Sequence, residues 1–263
     1  AREVADALLG EDPNDIARLW DKLIWAGASV GRSGLATQAI AAMDNALWDM
    51  KAKRAGLPLA KLLGARRDAV RTYNTSGGFL STPLEKLLEN CTASVQNGIG
   101  GIKIKVGQPD PMIDLKRLEA VRNHLGPDVP LMVDANHAWD VADAIRYGRA
   151  VEALDIGWIE EPVVPEDIDG YVAVKRALSI PVAGGEASFS RFGFRDLLVR
   201  RAVDIAIIPG EGRESAYAFA DAIDAARSPV TAAEPARQVD ALRVWLDGRV
   251  EARYPTPEPR LGD

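Results

Sequence analysis

The chain has 263 residues, 47% of them hydrophobic, which is enough apolar material for one large α/β domain with an appendage. Its 32 Lys and Arg against 38 Asp and Glu give a net charge of -6, a field that does not favour nucleic acid or an anionic membrane surface. No apolar run reaches the length of a membrane span and the start AREVADALLGEDP lacks the basic-then-apolar order of a signal peptide. With a single cysteine, Cys91, and so no intrachain disulfide, the expectation is a cytoplasmic protein.

Residues 1–69 read as helices alone. In DPNDIARLWDKLIWAG, Asp12 and Asn14 are candidate caps, Ile16, Leu19, Leu23 and Ile24 recur at helical spacing, and Gly27 is a stop. A second helix is expected from Gly34 to Ala55, ending at Gly56-Leu57-Pro58. From Val70 the texture changes to short β-like runs alternating with amphipathic helices. VRTYN is followed by a helix to Asn97, IKIKV by one to Leu125 and LMVDAN by one to Leu154. WIEEP, PVAGGE, DIAIIP and a weak SPVTAA complete seven strand candidates over 70–234, and residues 235–263, rich in proline near the end, read as a tail.

Such alternation predicts a parallel sheet covered by helices, as a barrel or a doubly wound sheet. No G-x-G-x-x-G follows the first strand, and the acidic residues come from three consecutive strands, so the barrel is favoured. An eighth strand is hard to find, and the expectation is a barrel that is truncated or closed in an unusual way.

Asp134 in LMVDAN, Glu160 in WIEEP and Glu186 in PVAGGE stand twenty-six residues apart each time. A constant step of that length carries the chain to the same edge of a parallel sheet, so the three carboxylates converge at the C-terminal face of the strands. Three hard oxygen donors without a thiolate or clustered imidazoles suit Mg²⁺. Each alone could instead be a cap or an ion-pair partner. Glu160 rather than Glu161 is the expected ligand because it shares a strand face with Trp158, which leaves Glu161 pointing away or into the loop. Lys103 and Lys105, one residue apart on a strand, point to the same side, and burial together with a neighbouring cation lowers a lysine pKa toward the range of a general base. The alternative is a pair of solvated lysines. Asn136 is placed to hydrogen-bond a ligand or substrate, and His137, at the same strand end, is a proton donor by location or a structural loop histidine.

The motifs GIKIKVG, VDANHAWD, WIEEP and AGGEASFSRFGFRDLL resemble the K-x-K, D-x-N, E-E-P and G-E pattern of the enolase superfamily, in its mandelate racemase and muconate lactonizing branch. Residues 12–79 look especially like talarate/galactarate dehydratases within that branch. The resemblance implies an enolase-type (β/α) barrel with a partial, mainly helical capping domain over 1–69, onto which the tail of 235–263 packs. It implies a Mg²⁺-dependent acid-sugar dehydratase, a carbon-oxygen lyase, acting on aldarates or aldonates. Lys105 would remove the proton α to the carboxylate and Lys103 would help neutralise that carboxylate. Mg²⁺ on Asp134, Glu160 and Glu186 would stabilise the enediolate, from which the β-hydroxyl leaves as water. His137 or Tyr73 would serve as acid, with Asn136, Arg32 and Tyr73 as substrate contacts. The N-terminal helices, rich in Ala and Leu, would be exposed without a partner, so a homo-oligomer is expected.

The sequence departs from the family pattern in three places. The chain begins inside the capping domain, DIAIIPGEGRES replaces the Q-P-D of the sixth strand, and SPVTAAEPARQVD lacks the P-H of the seventh. A truncated member that keeps the metal site but is impaired or non-catalytic is therefore the alternative. A third possibility is that segments of a longer chain are absent from the sequence.

Overall fold

A computed structural model describes residues 2–31, 34–65, 69–75, 78–208, 243–246 and 250–252. The first part is helical: α1 (Arg2–Asp6), α2 (Ile16–Ala26), α3 (Leu35–Ala55) and α4 (Leu59–Leu62). Ile16, Leu19 and Leu23, at one face of α2, are buried against Ile40 and Leu47 of α3. That is the 3.6-residue period made into a packed pair. The cap of α2 differs from expectation: Asp15 occupies it, while Asp12 accepts hydrogen bonds from Asn14 in the preceding turn.

The second part alternates as the sequence predicts, through α5 (Leu84–Gln96), β1 (Ile102–Lys105), α6 (Pro111–Leu125), β2 (Leu131–Asp134), α7 (Val141–Val151), β3 (Ile156–Glu160), α8 (Ile168–Ala177), β4 (Val182–Gly184), α9 (Ser190–Val199) and β5 (Ile205–Ile208). β1 to β5 pair in parallel in sequence order. Three βα loops end in an aspartate that accepts a hydrogen bond from the first turn of the next helix: Asp110 from Met112 N, Asp140 from Asp143 N and Asp167 from Gly170 N.

The run VRTYN is not a strand. It makes a single parallel bridge, Asn74 to Ile102, with Asn74 N bonded to Gly101 O and Lys103 N to Asn74 O. SPVTAA lies outside the described residues, as do the stretch in which the seventh-strand motif is sought and the part of DIAIIPGEGRES beyond Ile208, while the first residues of DIAIIPGEGRES form β5. The segment expected to be a tail contributes two strands instead: β6 (Arg243–Leu246), parallel to β5, and β7 (Val250–Ala252), antiparallel to β6. Among the described residues no pairing joins the two edges of this seven-stranded sheet, and no helix is long and apolar enough to cross a membrane.

A period of two sorts the side chains along β1 and β2, while in β3 a register shift opposite Leu131–Val133 lets Ile156 and Ile159, three apart, share a face. Ile102, Ile104, Leu131, Val133, Ile156 and Ile159 pack with Leu87, Cys91, Leu118, Val121 and Val151 of the covering helices. The opposite face carries Met132, Trp158, Ala183, Ile205 and Ile207, with Tyr73 packed against them. Residues that alternate with the helix-facing set, Lys103, Lys105, Asp134 and Glu160, are thereby assigned to this second face.

Candidate metal and base centre

Strand register places the charged residues level with one another. Lys105 is the pairing partner of Asp134, and Asp134 that of Glu160. Lys103 Nζ lies 2.5 Å from Glu160 Oε1 and 3.0 Å from Asp134 Oδ2, and Lys105 Nζ lies 2.6 Å from the same Asp134 oxygen. Both carboxylates are fully buried, Lys103 nearly so, and Lys105 partly open. Trp158 Nε1 donates to Glu160 Oε2 at 3.0 Å, and the backbone N–H of Asn136 to Asp134 Oδ1 at 3.0 Å. Tyr73 meets the Trp158 ring edge-on at 5.3 Å, with Lys103 Nζ 5.5 Å from the centre of its own ring.

Glu186 does not continue this level. Glu160 pairs with Ala183, so Glu186 stands three residues further on, beyond β4, and is exposed. Equal spacing in sequence thus puts the third carboxylate in the turn above the strand, at the open mouth. Gly185 makes that turn possible: its φ is +125°, and a Cβ there would stand 2.8 Å from Ile207 O.

At Lys103 the electrostatics run against the expectation of a lowered lysine pKa. Burial pulls the Lys103 pKa down, but Glu160 and Asp134 more than offset it and the net shift is upward. Burial also acts on Asp134, where Lys103 and Lys105 outweigh it and hold the carboxyl below its usual range. At Glu160 burial prevails, and its pKa is pushed up to about 7. The Glu186 carboxyl is raised by desolvation first and then by the charges of Glu161 and Asp134. Burial pushes Tyr73 up to about 12.

Glu161 takes the loop-directed of its two expected orientations, and its partners there are not visible in strand alternation. It is almost completely buried and turns toward β2's loop. Its Oε2 accepts from Asn136 Nδ2 at 3.4 Å, and its Oε1 lies 2.9 Å from His137 Nε2, within ion-pair reach but without hydrogen-bond angles. Asn136, His137 and Glu161 have φ of 42°, 65° and 44°, a left-handed conformation uncommon outside glycine. Left-handed backbone clusters at functional sites because surrounding structure must hold it in place. Arg32 lies outside the described residues.

The donor chemistry fits a hard divalent cation: buried carboxylate oxygens, held from behind by an indole and a backbone N–H. Among the described residues no three His, Cys, Asp or Glu side chains already form a ligand cage. The two ammonium groups supply the positive charge beside Asp134 and Glu160, and Glu186 stands apart.

Residues 1–64 match the family described as the mandelate racemase/muconate lactonizing enzyme N-terminal domain, and residues 86–210 match the enolase C-terminal domain-like family. A crystal structure of a mandelate racemase/muconate lactonizing enzyme from Polaromonas sp. JS666 superposes with a TM-score of 0.80 at 46% identity, over 94% of this chain and 76% of that one. The chain belongs to the mandelate racemase and muconate lactonizing branch of the enolase superfamily. Within this branch it is 62% identical over 186 residues to L-talarate/galactarate dehydratase from Salmonella typhimurium, spanning 71% of this chain and 47% of that protein. The structure of L-talarate dehydratase from Polaromonas sp. JS666, complexed with Mg and L-glucarate, matches with a TM-score of 0.79 at 54% identity, over 86% of this chain and 64% of that one. The chain spans about half the length of the curated relatives it matches. The enolase-superfamily membership inferred from GIKIKVG, VDANHAWD, WIEEP and AGGE is therefore correct, as is the α/β class with a parallel sheet.

Proposed function

We propose that this chain belongs to a Mg²⁺-dependent acid-sugar dehydratase, a hydro-lyase acting on aldarates or aldonates such as L-talarate and galactarate. The observation that carries this is the juxtaposition of a part-exposed lysine, Lys105, with two fully buried carboxylates at one level of the sheet. Asp134, Glu160 and, from the turn above, Glu186 are the proposed ligands. When bound, Mg²⁺ supplies the fixed positive charge that makes a proton α to a carboxylate removable.

The chain's own groups divide the remaining work. Lys105 Nζ, at the open side, takes the proton, and Lys103, deeper and raised in pKa, stays cationic and balances the carboxylates. Tyr73, pushed up to about 12, keeps its hydroxyl proton at neutral pH and is one candidate donor to the departing hydroxyl. His137, beside Glu161, is the other. Asn136 and Arg32 are proposed substrate contacts. The same proposal includes a cytoplasmic setting, in keeping with the unpaired Cys91, and a homo-oligomer.

The test is turnover of an acid-sugar panel with Mg²⁺, followed through the 2-keto-3-deoxy product, in the parent chain and in Lys105→Ala. The parent is expected to turn over at least one member and to stop on chelation. The variant is expected to lose about 10²- to 10⁴-fold in kcat, the worth of a general base, while still binding Mg²⁺ by calorimetry. No product from any aldarate or aldonate would defeat the dehydratase reading, and full activity in Lys105→Ala would remove that lysine from it.

A further inference from the structure

Lys105 is the last residue of β1, and two loops flank its backbone. On one side Gly78 O accepts the Lys105 N–H at 2.8 Å, and residues 79–82 form a turn immediately beyond. On the other, the chain leaves β1 through Val106, Gly107 and Gln108, with Val106 N bonded to Asp134 O at 2.9 Å. Gly107 has a φ of +114°, and a Cβ on it would stand 2.5 Å from the Cβ of Ala138, next to His137. The exit loop of β1 is therefore wedged against the loop that bears Asn136 and His137.

Both loops are held by one helix. Asp114, in the first turn of α6 and 1% exposed, accepts the N–H groups of Gly107 and Gln108 through Oδ2, each at 2.7 Å. One turn on, the largely buried Arg117 donates to Phe79 O at 2.9 Å, Leu80 O at 3.2 Å and Thr82 O at 2.7 Å. Gln108 Nε2 ties the loops together through Leu80 O at 3.0 Å. A buried carboxylate and a buried guanidinium, each spending its hydrogen bonds on backbone at one strand end, are strong and directional.

We infer that Asp114 and Arg117 are positioning residues for the base: α6 clamps the two loops around Lys105 and so fixes where its Nζ stands over Asp134. The inference rests on the reading of Lys105 as the base. Fixed geometry of that kind governs the chemical step more than substrate affinity. A purely structural role would weaken the whole fold without singling out Lys105.

Full-length Asp114→Asn and Arg117→Lys are compared with the parent by amide hydrogen exchange, by acylation of Lys105 relative to Lys86, and by kcat and KM on an acid sugar the parent turns over. Gln108→Leu, at a half-buried position, serves as a third variant that leaves Asp114 and Arg117 in place. Expected are exchange at least 10-fold faster at 78–82 and 105–108 with 131–134 and 156–160 unchanged, altered Lys105 acylation, and kcat at least 10-fold lower with KM within about 2-fold. Gln108→Leu is expected to speed exchange at 79–82 severalfold. If Asp114→Asn or Arg117→Lys fails to fold, unchanged exchange and unchanged Lys105 acylation in Gln108→Leu overturn the clamp. Uniformly faster exchange along the chain, or local loosening with kcat preserved, overturns it as well. Should the parent turn over no acid sugar, it is the dehydratase reading that fails, and exchange together with Lys105 acylation still decides the clamp.

Discussion

At the level of single residues, alternation was enough to put Lys103 with Lys105 on one face and Trp158 with Glu160 on one face, and the strand-end spacing to bring Asp134 and Glu160 to the same edge, where register sets Lys105, Asp134 and Glu160 level. The use of Trp158 was not legible. Its indole N–H holds Glu160 Oε2 while its ring meets Tyr73, contacts that depend on partners from two other segments. Trp158→Phe keeps the ring and removes the donor, and outer-shell donors of this kind are worth 10–100-fold in metal affinity. The expected outcome is Mg²⁺ affinity about 10-fold weaker by calorimetry, together with a lower melting temperature from the smaller ring and the buried acceptor left without its donor. Of the two orientations open to Glu161, away from the site or into the loop, the structure takes the second, because strand alternation stops applying at Glu160. The backbone turns left-handed at the next residue and swings the side chain toward Asn136 and His137.

Among the elements, helix positions were the easiest to read, and α3 and α6 begin or end within a residue or two of the Gly, Asp and Pro signals. The loops on the far edge of the sheet were opaque because their anchors are long-range. Arg122, in the last turn of α6, donates to Gly126 O, Val129 O, Leu154 O and Asp155 O, stitching the entry to β2 to the entry to β3. Arg122→Ala leaves those carbonyls without their donor, and a loss of about 3 kcal/mol is expected in urea unfolding. Glu152, in the 3-10 turn Glu152–Leu154, accepts from the N–H and the hydroxyl of Ser179 at 3.0 and 2.8 Å. Those two bonds hold its carboxyl below the usual range. A depressed folded-state pKa contributes stability above the unfolded value of 4.5 and loses it as pH falls through the folded one. Glu152→Gln should therefore melt slightly below the parent at neutral pH, with the gap closing as pH drops under about 4.

For the molecule as a whole, the class and the grouping of Lys103, Lys105, Asp134 and Glu160 were legible, and the way the sheet ends was not. VRTYN has the composition of a strand yet makes one bridge, and the segment with a tail's composition supplies β6 and β7. Propensity ranks segments, but pairing is decided by which neighbour has an open edge. The helical part carries Leu9, Trp25, Val30 and Leu35 at 71–84% exposure, more apolar surface than scattered single residues need. Sedimentation of this 263-residue chain is expected to give a species larger than its 28.3 kDa, and a clean monomer at micromolar concentration would count against the proposed oligomer.

The strict order of β1 to β5, each strand beside its successor in the chain, also has a consequence for biosynthesis. Every strand after the first docks on an edge already made, so the sheet can grow in the direction of translation and loop closure stays short. Both lysines and both buried carboxylates lie between residues 103 and 160. All four of those side chains are therefore synthesised before the turn bearing Glu186, so the lysines that balance the acids are available ahead of the third carboxylate.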